Sequence, residues 1–374
     1  MSLSIAERLK QLRETYPPVA PATAQRLAEA GAWLVDIREA DEIAQGTPVG
    51  AHPMGRGFLE MRLEQAGAAA EDTVLLLCAS GSRSLLAADQ LHQLGYHDVR
   101  SVAGGFDGWK DAGLAFETPA MLDADDRARY ARQLTLPEIG EAGQTRLRDA
   151  KVLLIGAGGL GSPAAMYLAA AGVGRITIVD HDTVDRSNLH RQIIHREATI
   201  GQSKARSAMA TLAALNPSVE VVPVESRVSE DNAADLVAGQ DLVVDGSDNF
   251  TARYAINDAC VAQRVALVYG AVERFSGQVA VFPAGGQPCY RCLFAEAPPA
   301  GSAPTCAEAG VIGAVPGLVG TLQALEAIKL LVGMSQTLTG RLLTLDVARQ
   351  RWTTLQLSLN AACKVCGSHS RRHD

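Results

Sequence analysis

The sequence predicts an α/β protein of two units, a small one followed by a larger, doubly wound one. Three observations carry that expectation. Short apolar runs alternate with segments of helical apolar spacing, as parallel sheets with crossover helices require. Two of those runs end in glycine-bearing turns that open a helix, Cys78-Ala-Ser-Gly-Ser-Arg83 and Gly156-Ala-Gly-Gly-Leu-Gly161. The 374 residues also exceed one core, since domains of roughly 100–200 residues predict two.

In the first unit, residues 16–116, Trp33-Leu-Val-Asp-Ile37 and Thr73-Val-Leu-Leu-Leu77 read as buried strands. Ser84 to Leu94 has helical spacing, and Gly95 is placed to end that helix. Beyond Gly104-Gly-Phe-Asp-Gly-Trp109 the composition turns polar, and residues 117–129 read as linker. The second unit, 130–374, offers strands at Val152–Ile155, Ile176–Val179, Val219–Val224, Leu242–Val244, Val265–Tyr269 and Gly277–Phe282. Its clearest helix runs from Ser203 to Leu215, stopped by Asn216-Pro217.

Composition narrows the function. Hydrophobic content of 47% beside 20% charge describes a globular protein. With 34 Lys and Arg against 41 Asp and Glu, a formal charge of −7 repels polyanions, so no nucleic-acid partner is expected. Charges at helical spacing already occupy the first ten residues, which argues against a secretory leader and for the cytoplasm. The weakly charged run Ala309–Leu325 contains Pro316 and is followed by Glu326 and Lys329, so a core helix is expected there rather than a membrane span. Seven cysteines in such a chain point to metal or redox chemistry.

Cys78 falls between a strand and a helix start, where loop N–H groups and the helix dipole favour a thiolate or persulfide anion. Arg83 adds a positive charge; a buried, inert cysteine is the plainer alternative for a lone thiol. A tyrosine-phosphatase loop has one more residue between Cys and Arg, so this loop suits a single sulfur better than a phosphate. Together with Asp36-Ile-Arg38 and Gly104-Gly-Phe-Asp-Gly-Trp109, it resembles the rhodanese family over about a hundred residues. That resemblance implies that Cys78 carries a sulfane sulfur. The stretch Gly46-Thr-Pro-Val-Gly-Ala-His-Pro53 departs from the family's usual wording.

Gly156, Gly158, Gly159 and Gly161, with Asp180 after the next strand, read alone as a dinucleotide fingerprint and favour an NAD-dependent oxidoreductase. The cationic and amide groups of Ser187-Asn-Leu-His-Arg-Gln192 and Lys204 shift the reading to a triphosphate, held by Arg191 and Lys204. Asp248, in Asp245-Gly-Ser-Asp-Asn249, is placed to hold Mg²⁺. The set resembles the ubiquitin-activating-enzyme superfamily in its small bacterial form, the MoeB/ThiF-type adenylyltransferases of sulfur-carrier proteins, from Arg129 to Cys366. The resemblance implies a Rossmann-like ATP domain in which Asp180 binds ribose and the Gly159 backbone binds phosphate. It assigns Asn188, Arg191 and Lys204 to the triphosphate and Asp248 to Mg²⁺, with Ser187, Gln192 and Asn249 in the same loops. Arg132 matches an arginine that reaches the neighbouring subunit, which implies a homodimer.

Cys289-Tyr-Arg-Cys292 and Cys363-Lys-Val-Cys366 are two C-x2-C pairs with the spacing of a structural Cys₄ zinc site. Cys260 sits at helical spacing and is expected in the core. Cys306 matches the family's acceptor cysteine, whose role is a thioester, an acyl disulfide or none. The expected function is ATP-dependent adenylylation of the C-terminal glycine of a ubiquitin-like carrier ending in Gly-Gly. A Cys78 persulfide, loaded by a cysteine desulfurase or thiosulfate, then makes a thiocarboxylate, foremost for molybdopterin, otherwise for thiamine or tRNA thiolation.

Overall fold

A computed structural model describes residues 4–118, 122–297 and 310–367, in two compact units that divide between Met121 and Leu122. The first carries β1 (Trp33–Asp36), β2 (Thr47–Pro48), β3 (His52–Pro53), β4 (Thr73–Leu77), β5 (Asp98–Ser101) and β6 (Phe116–Glu117). Strands β3, β1, β4 and β5, in that spatial order, form a parallel sheet, and β2 pairs with β6.

Both faces of the parallel sheet are covered, which is why its strands read as unbroken apolar runs. Val35, Val74 and Leu76 pack on one side with Leu59, Ala87 and Leu91; Leu34, Leu75 and Leu77 pack on the other with Phe106 and Trp109. The helix after β4 runs Ser82–Gln93 and closes at Gly95, whose φ of +97° admits the left-handed turn. There Tyr96 N–H reaches Leu91 O and Gly95 N–H reaches His92 O, both at 3.1 Å. Ahead of residue 16, a helix at Ile5–Thr15 begins in a Ser4–Glu7 capping box and belongs to the same unit through Arg8–Asp89 (2.6 Å).

The stretch expected as linker is in part regular structure. Glu117 pairs in β6, and Ala124–Arg129 is a helix capped by Asp123. A solvated helix and a linker share a polar composition, so composition alone does not separate them.

In the second unit, β7 (Lys151–Ile155), β8 (Arg175–Val179), β9 (Glu220–Val224), β10 (Leu242–Asp245) and β11 (Ala266–Glu273) are parallel. They stand in the order β9-β8-β7-β10-β11. Chain order reverses at β7, so the carboxyl ends of β7, β8 and β10 open a crevice at a topological switch point. Beyond β11 the sheet changes character: β12 (Ser276–Phe282), β13 (Arg341–Asp346) and β14 (Arg351–Gln356) add antiparallel. The sequence did not announce β13 and β14. Only Leu342 and Leu345 of β13 are buried and all of β14 is exposed, so neither makes a long apolar run.

The helix Ala314–Val332 is long and apolar enough to cross a membrane by length and composition. Here it packs inside the unit, with Ala324, Ala327 and Val332 in the core shared by β7, β8 and β10. Cys260, on the helix Phe250–Gln263, is buried, and burial pushes its thiol up.

Candidate functional site

Each unit places a chemically equipped turn at the carboxyl end of its sheet. In the first, Cys78 follows β4 and is only 1% exposed. Its Sγ accepts N–H groups from Gly81 (3.1 Å) and Ser84 (3.4 Å) and lies 3.4 Å from Ser84 Oγ. Gly81, at φ +88°, makes that curl possible. The loop is braced from behind: Phe106 N–H donates to Cys78 O (2.7 Å) and Asp107 N–H to Ala79 O (3.1 Å). Gly105 must be glycine there, since a Cβ would stand 2.2 Å from Cys78 O.

Arg83 does not stand alone beside the sulfur. It forms a bidentate pair with Glu42 (2.7 and 2.6 Å), and that bond holds the Glu42 carboxyl below its ordinary range. The Asp36–Arg38 motif has a structural task. Arg38 forks onto Asp36, donates to Gly46 O at 2.5 Å and covers the Phe106 ring at 3.9 Å, so it ties the 42–47 loop to the wall behind Cys78.

In the second unit a cavity of about 750 Å³ occupies the switch point. Gly156 leaves β7 at φ +85°, and Gly161 opens the helix Gly161–Ala171 so close to the turn that a Cβ would meet Gly156 O at 1.8 Å. The turn is clamped through one peptide. Asp180 Oδ2 accepts Ala157 N–H (2.8 Å), and His195 Nε2 faces Ala157 O (2.9 Å). A carbonyl only accepts, so Nε2 carries the proton; burial pushes the His195 pKa down and keeps the ring neutral.

Of the residues expected to meet nucleotide, Gly156, Gly158, Gly159, Asp180, Arg191, Gln192, Lys204, Asp248 and Asn249 line the cavity. Gly161, Ser187, Asn188 and Arg132 are not part of its wall. Ser187 Oγ donates to Asp185 (2.5 Å), while Asn188 Oδ1 accepts from Arg191 (2.8 Å) and Gln192 (3.2 Å), so Asn188 orients the residues that do line it. Asn249 is occupied as the cap of the helix Phe250–Gln263. Arg132 is exposed on the short helix Ala131–Leu134. Cys306 lies outside the described residues.

Lys204 is buried and donates to Asp182 Oδ2 at 3.0 Å. Burial pushes the Asp182 carboxyl up, but the bond and charge of Lys204 outweigh it and leave that carboxyl below its ordinary range. Asp182, His195, Arg253, Tyr269 and Tyr290 were not singled out in the sequence. Asp182 had a signal, two residues beyond Asp180, and Arg253 another, one helical turn past Asn249. The tyrosines look like ordinary core residues.

The two C-x2-C pairs meet. Cys289 caps the short helix Tyr290–Leu293 after β12 and Cys292 lies within it, while Cys363 and Cys366 follow β14. All four sulfurs lie within 4.8 Å of one another, with Cys289–Cys363 at 3.7 Å and Cys292–Cys366 at 3.4 Å. Tetrahedral Zn–S bonds place sulfurs roughly 3.8 Å apart, so the cluster fits zinc.

A glycine turn at the switch point, an acid after the next strand and a Cys₄ knot behind an antiparallel extension define a nucleotide-binding α/β unit joined to a sulfur-type loop unit. The chain belongs to the ThiF family, whose model matches residues 130–365, and a rhodanese-like domain matches residues 20–112. It is 49% identical over 246 residues to a SAMP-activating enzyme E1 of Haloferax volcanii, covering 66% of this chain and 91% of that protein. It is 47% identical to a sulfur carrier protein adenylyltransferase of Thermus thermophilus, covering 66% and 93%. To the adenylyltransferase and sulfurtransferase MOCS3 of Sus scrofa it is 48% identical, covering 66% of this chain but only 55% of that protein. Among solved structures, Escherichia coli MccB shares the fold, with a TM-score of 0.58 at 21% identity over 64% of this chain and 74% of that one.

Proposed function

We propose that the second unit adenylylates the C-terminal glycine of a ubiquitin-like sulfur-carrier protein ending in Gly-Gly, and that the first supplies sulfur from a Cys78 persulfide. The carrying observation is the reach of one cavity. It runs from the glycine turn, Asp180 and Lys204 to Ala271 on β11 and to Gln278 and Thr344 on the antiparallel extension, with room for a nucleotide and an extended peptide end. The names of the Haloferax and Thermus relatives support a carrier protein as substrate.

In this reading the Gly158–Gly159 backbone receives phosphate and Asp180 the ribose, while Arg191 and Lys204 hold the triphosphate. Ser187, Asn188, Gln192 and Asn249 fix the loops around it. Asp248, exposed on the cavity wall, would hold Mg²⁺, which neutralises phosphate charge when bound. A carrier carboxylate oxygen attacks the α-phosphorus, the bond to the β-phosphate breaks and pyrophosphate leaves. Arg132, exposed and off the chain's own cavity, would serve the partner's site in a homodimer.

The outer sulfur of a persulfide stands about 2 Å beyond the buried Cys78 Sγ. It attacks the acyl carbon and AMP departs, leaving an acyl disulfide. Two electrons from an external dithiol then release the thiocarboxylate and the Cys78 thiolate. Arg83 would hold the persulfide anion, and Cys306 would act as an acyl acceptor. Linking the two units in one chain raises the local concentration of sulfur near the adenylate.

Thiosulfate or a cysteine desulfurase is the proposed sulfur donor, molybdopterin synthesis in the cytoplasm the proposed setting, and zinc on the four cysteines the proposed structural metal. Thiamine synthesis and tRNA thiolation use the same chemistry. An NAD-dependent oxidoreductase is disfavoured by the triphosphate-suited cations in the cavity wall. ATP–pyrophosphate exchange tests the reading: it is expected only with a Gly-Gly-ended carrier, and its absence with every carrier in a panel rejects adenylylation.

A further inference from the structure

Midway along the cavity, where β10 ends beside Tyr269 of β11, several buried polar groups lack a hydrogen bond of ordinary geometry. Ser247 Oγ, Arg253 Nε and Tyr290 OH belong to residues of the cavity wall, and none of these atoms has a hydrogen-bond partner at ordinary geometry; their polar neighbours are one another and Asp245, Arg253 beside Tyr290 and Ser247 beside Asp245. Asp245 Oδ2, behind them, accepts no hydrogen bond and forms a long ion pair with Arg253 Nε at 4.0 Å. Ser247 and Tyr290 are 8% and 1% exposed, and the Arg253 side chain 11%. Burying a hydroxyl or a guanidinium N–H without a partner costs roughly 1–3 kcal/mol each, so a cluster of them around one cavity calls for a ligand.

The cluster is rigidly held. Arg253 Nη2 donates to Ser247 O at 2.8 Å, which anchors the residue just before Asp248, and its guanidinium lies 5.3 Å from the Tyr269 ring centre. Tyr290 is fixed edge-on to Tyr254 and Phe282. The donors of these wall residues are therefore preset, just beneath the cavity surface, rather than mobile chain ends.

Position decides what they donate to. The glycine turn, Asp180 and Lys204 lie toward the β7–β8 side; Gln278 and Thr344 lie on β12 and β13. A carboxyl group that enters along the antiparallel strands and reacts at the nucleotide must stop between them, at β10 and β11. We propose that Arg253, Tyr290 and Ser247 form the subsite that binds the terminal carboxylate of the peptide substrate and positions it for attack on the α-phosphorus. This subsite deepens the adenylyltransferase reading and rests on it. Arg253 supplies the charge, and the Tyr290 and Ser247 hydroxyls supply oriented donors.

The test uses the full chain and a synthetic peptide ending in Gly-Gly, titrated by calorimetry without nucleotide, so that it does not depend on turnover. Wild-type protein is expected to bind the free-acid peptide at least tenfold more tightly than its C-terminal amide. Tyr290→Phe, which keeps the ring and its packing, is expected to weaken the free acid about fivefold, and Arg253→Gln more than tenfold, both with unchanged binding of a fluorescent ATP analogue. Thermal melting of both variants reports folding, and Ser247→Ala supplies a third readout if Arg253→Gln unfolds. Equal affinity for acid and amide, no peptide binding at all, or unaltered affinity in Tyr290→Phe and Ser247→Ala overturns the subsite. Carrier-dependent exchange in the wild type, measured separately, upholds or rejects adenylylation whatever the peptide result.

Discussion

The turn at Cys78 and the turn at Gly156 are built alike, each a strand followed by a glycine-bearing loop and a helix, and both are braced, yet the sites they open onto leave their polar groups in opposite states. Around Cys78 the described groups are paired: Sγ takes two N–H groups, Arg83 is held by Glu42, and the loop carbonyls are capped by the Gly105–Asp111 helix. Around Gly156 the cavity is lined by residues with unpaired buried atoms, on Gln192, Ser247, Arg253 and Tyr290. The contrast follows from where the reacting group resides. A loop that carries its sulfur on its own side chain can be complete in the resting protein, whereas a site for diffusible nucleotide and peptide is complete only when filled.

Substitutions can break that contrast, beginning with the largest effect. Cys78→Ala should abolish thiosulfate-to-cyanide sulfur transfer and leave carrier-dependent pyrophosphate exchange within about twofold of wild type. Residual transfer would show that another thiol carries the sulfur. Asp248→Ala should lower exchange about a hundredfold or more, since charge neutralisation at the triphosphate is lost, with sulfur transfer untouched. Exchange that survives removes Asp248 from the metal role.

Gly105→Ala sharpens the view that the sulfur loop is pre-built. Its Cβ would strike Cys78 O, so sulfur transfer and the melting temperature of the first unit should fall together, by about 3 kcal/mol in stability. A variant with normal stability and normal transfer would mean the bracing is dispensable.

The smallest effect concerns pH at the glycine turn. The His195 pKa is pushed below 6.5 in the folded protein, so the unfolded chain binds the extra proton first. Stability is therefore full above pH 6.5 and declines as pH falls below it. In His195→Asn, urea melts between pH 7.5 and 5.5 should show a shallower decline than wild type. An identical slope would assign the pH dependence elsewhere.

Local chemistry was legible in the sequence. The glycine turn, Asp180, the Cys78 loop and the two C-x2-C pairs depend on short spacings, and a strand before a glycine turn places them without knowledge of the whole fold. What the spacings could not convey was partnership at a distance. Arg83 meets Glu42 across 41 positions and Lys204 meets Asp182 across 22, and each pairing turns an apparently available cation into a held one. Arg253 and Tyr290 escaped notice for a related reason: one sits in a helix and the other in a zinc-type knuckle, and only the sheet order β10-β11 brings them to one cavity. The exposed β14 and the capped helix Ala124–Arg129 carry too little apolar patterning to be distinguished from loop.

The central claim is that adenylylation at one turn serves sulfur transfer from the other, and the mass of the carrier tests it most directly. Incubated with the full chain, ATP, Mg²⁺, thiosulfate and a dithiol, a Gly-Gly-ended carrier should gain the mass difference between sulfur and oxygen. With Cys78→Ala the carrier should keep its original mass although pyrophosphate is still exchanged. A carrier of unchanged mass with the wild-type chain, or one thiolated equally by Cys78→Ala, would contradict the account.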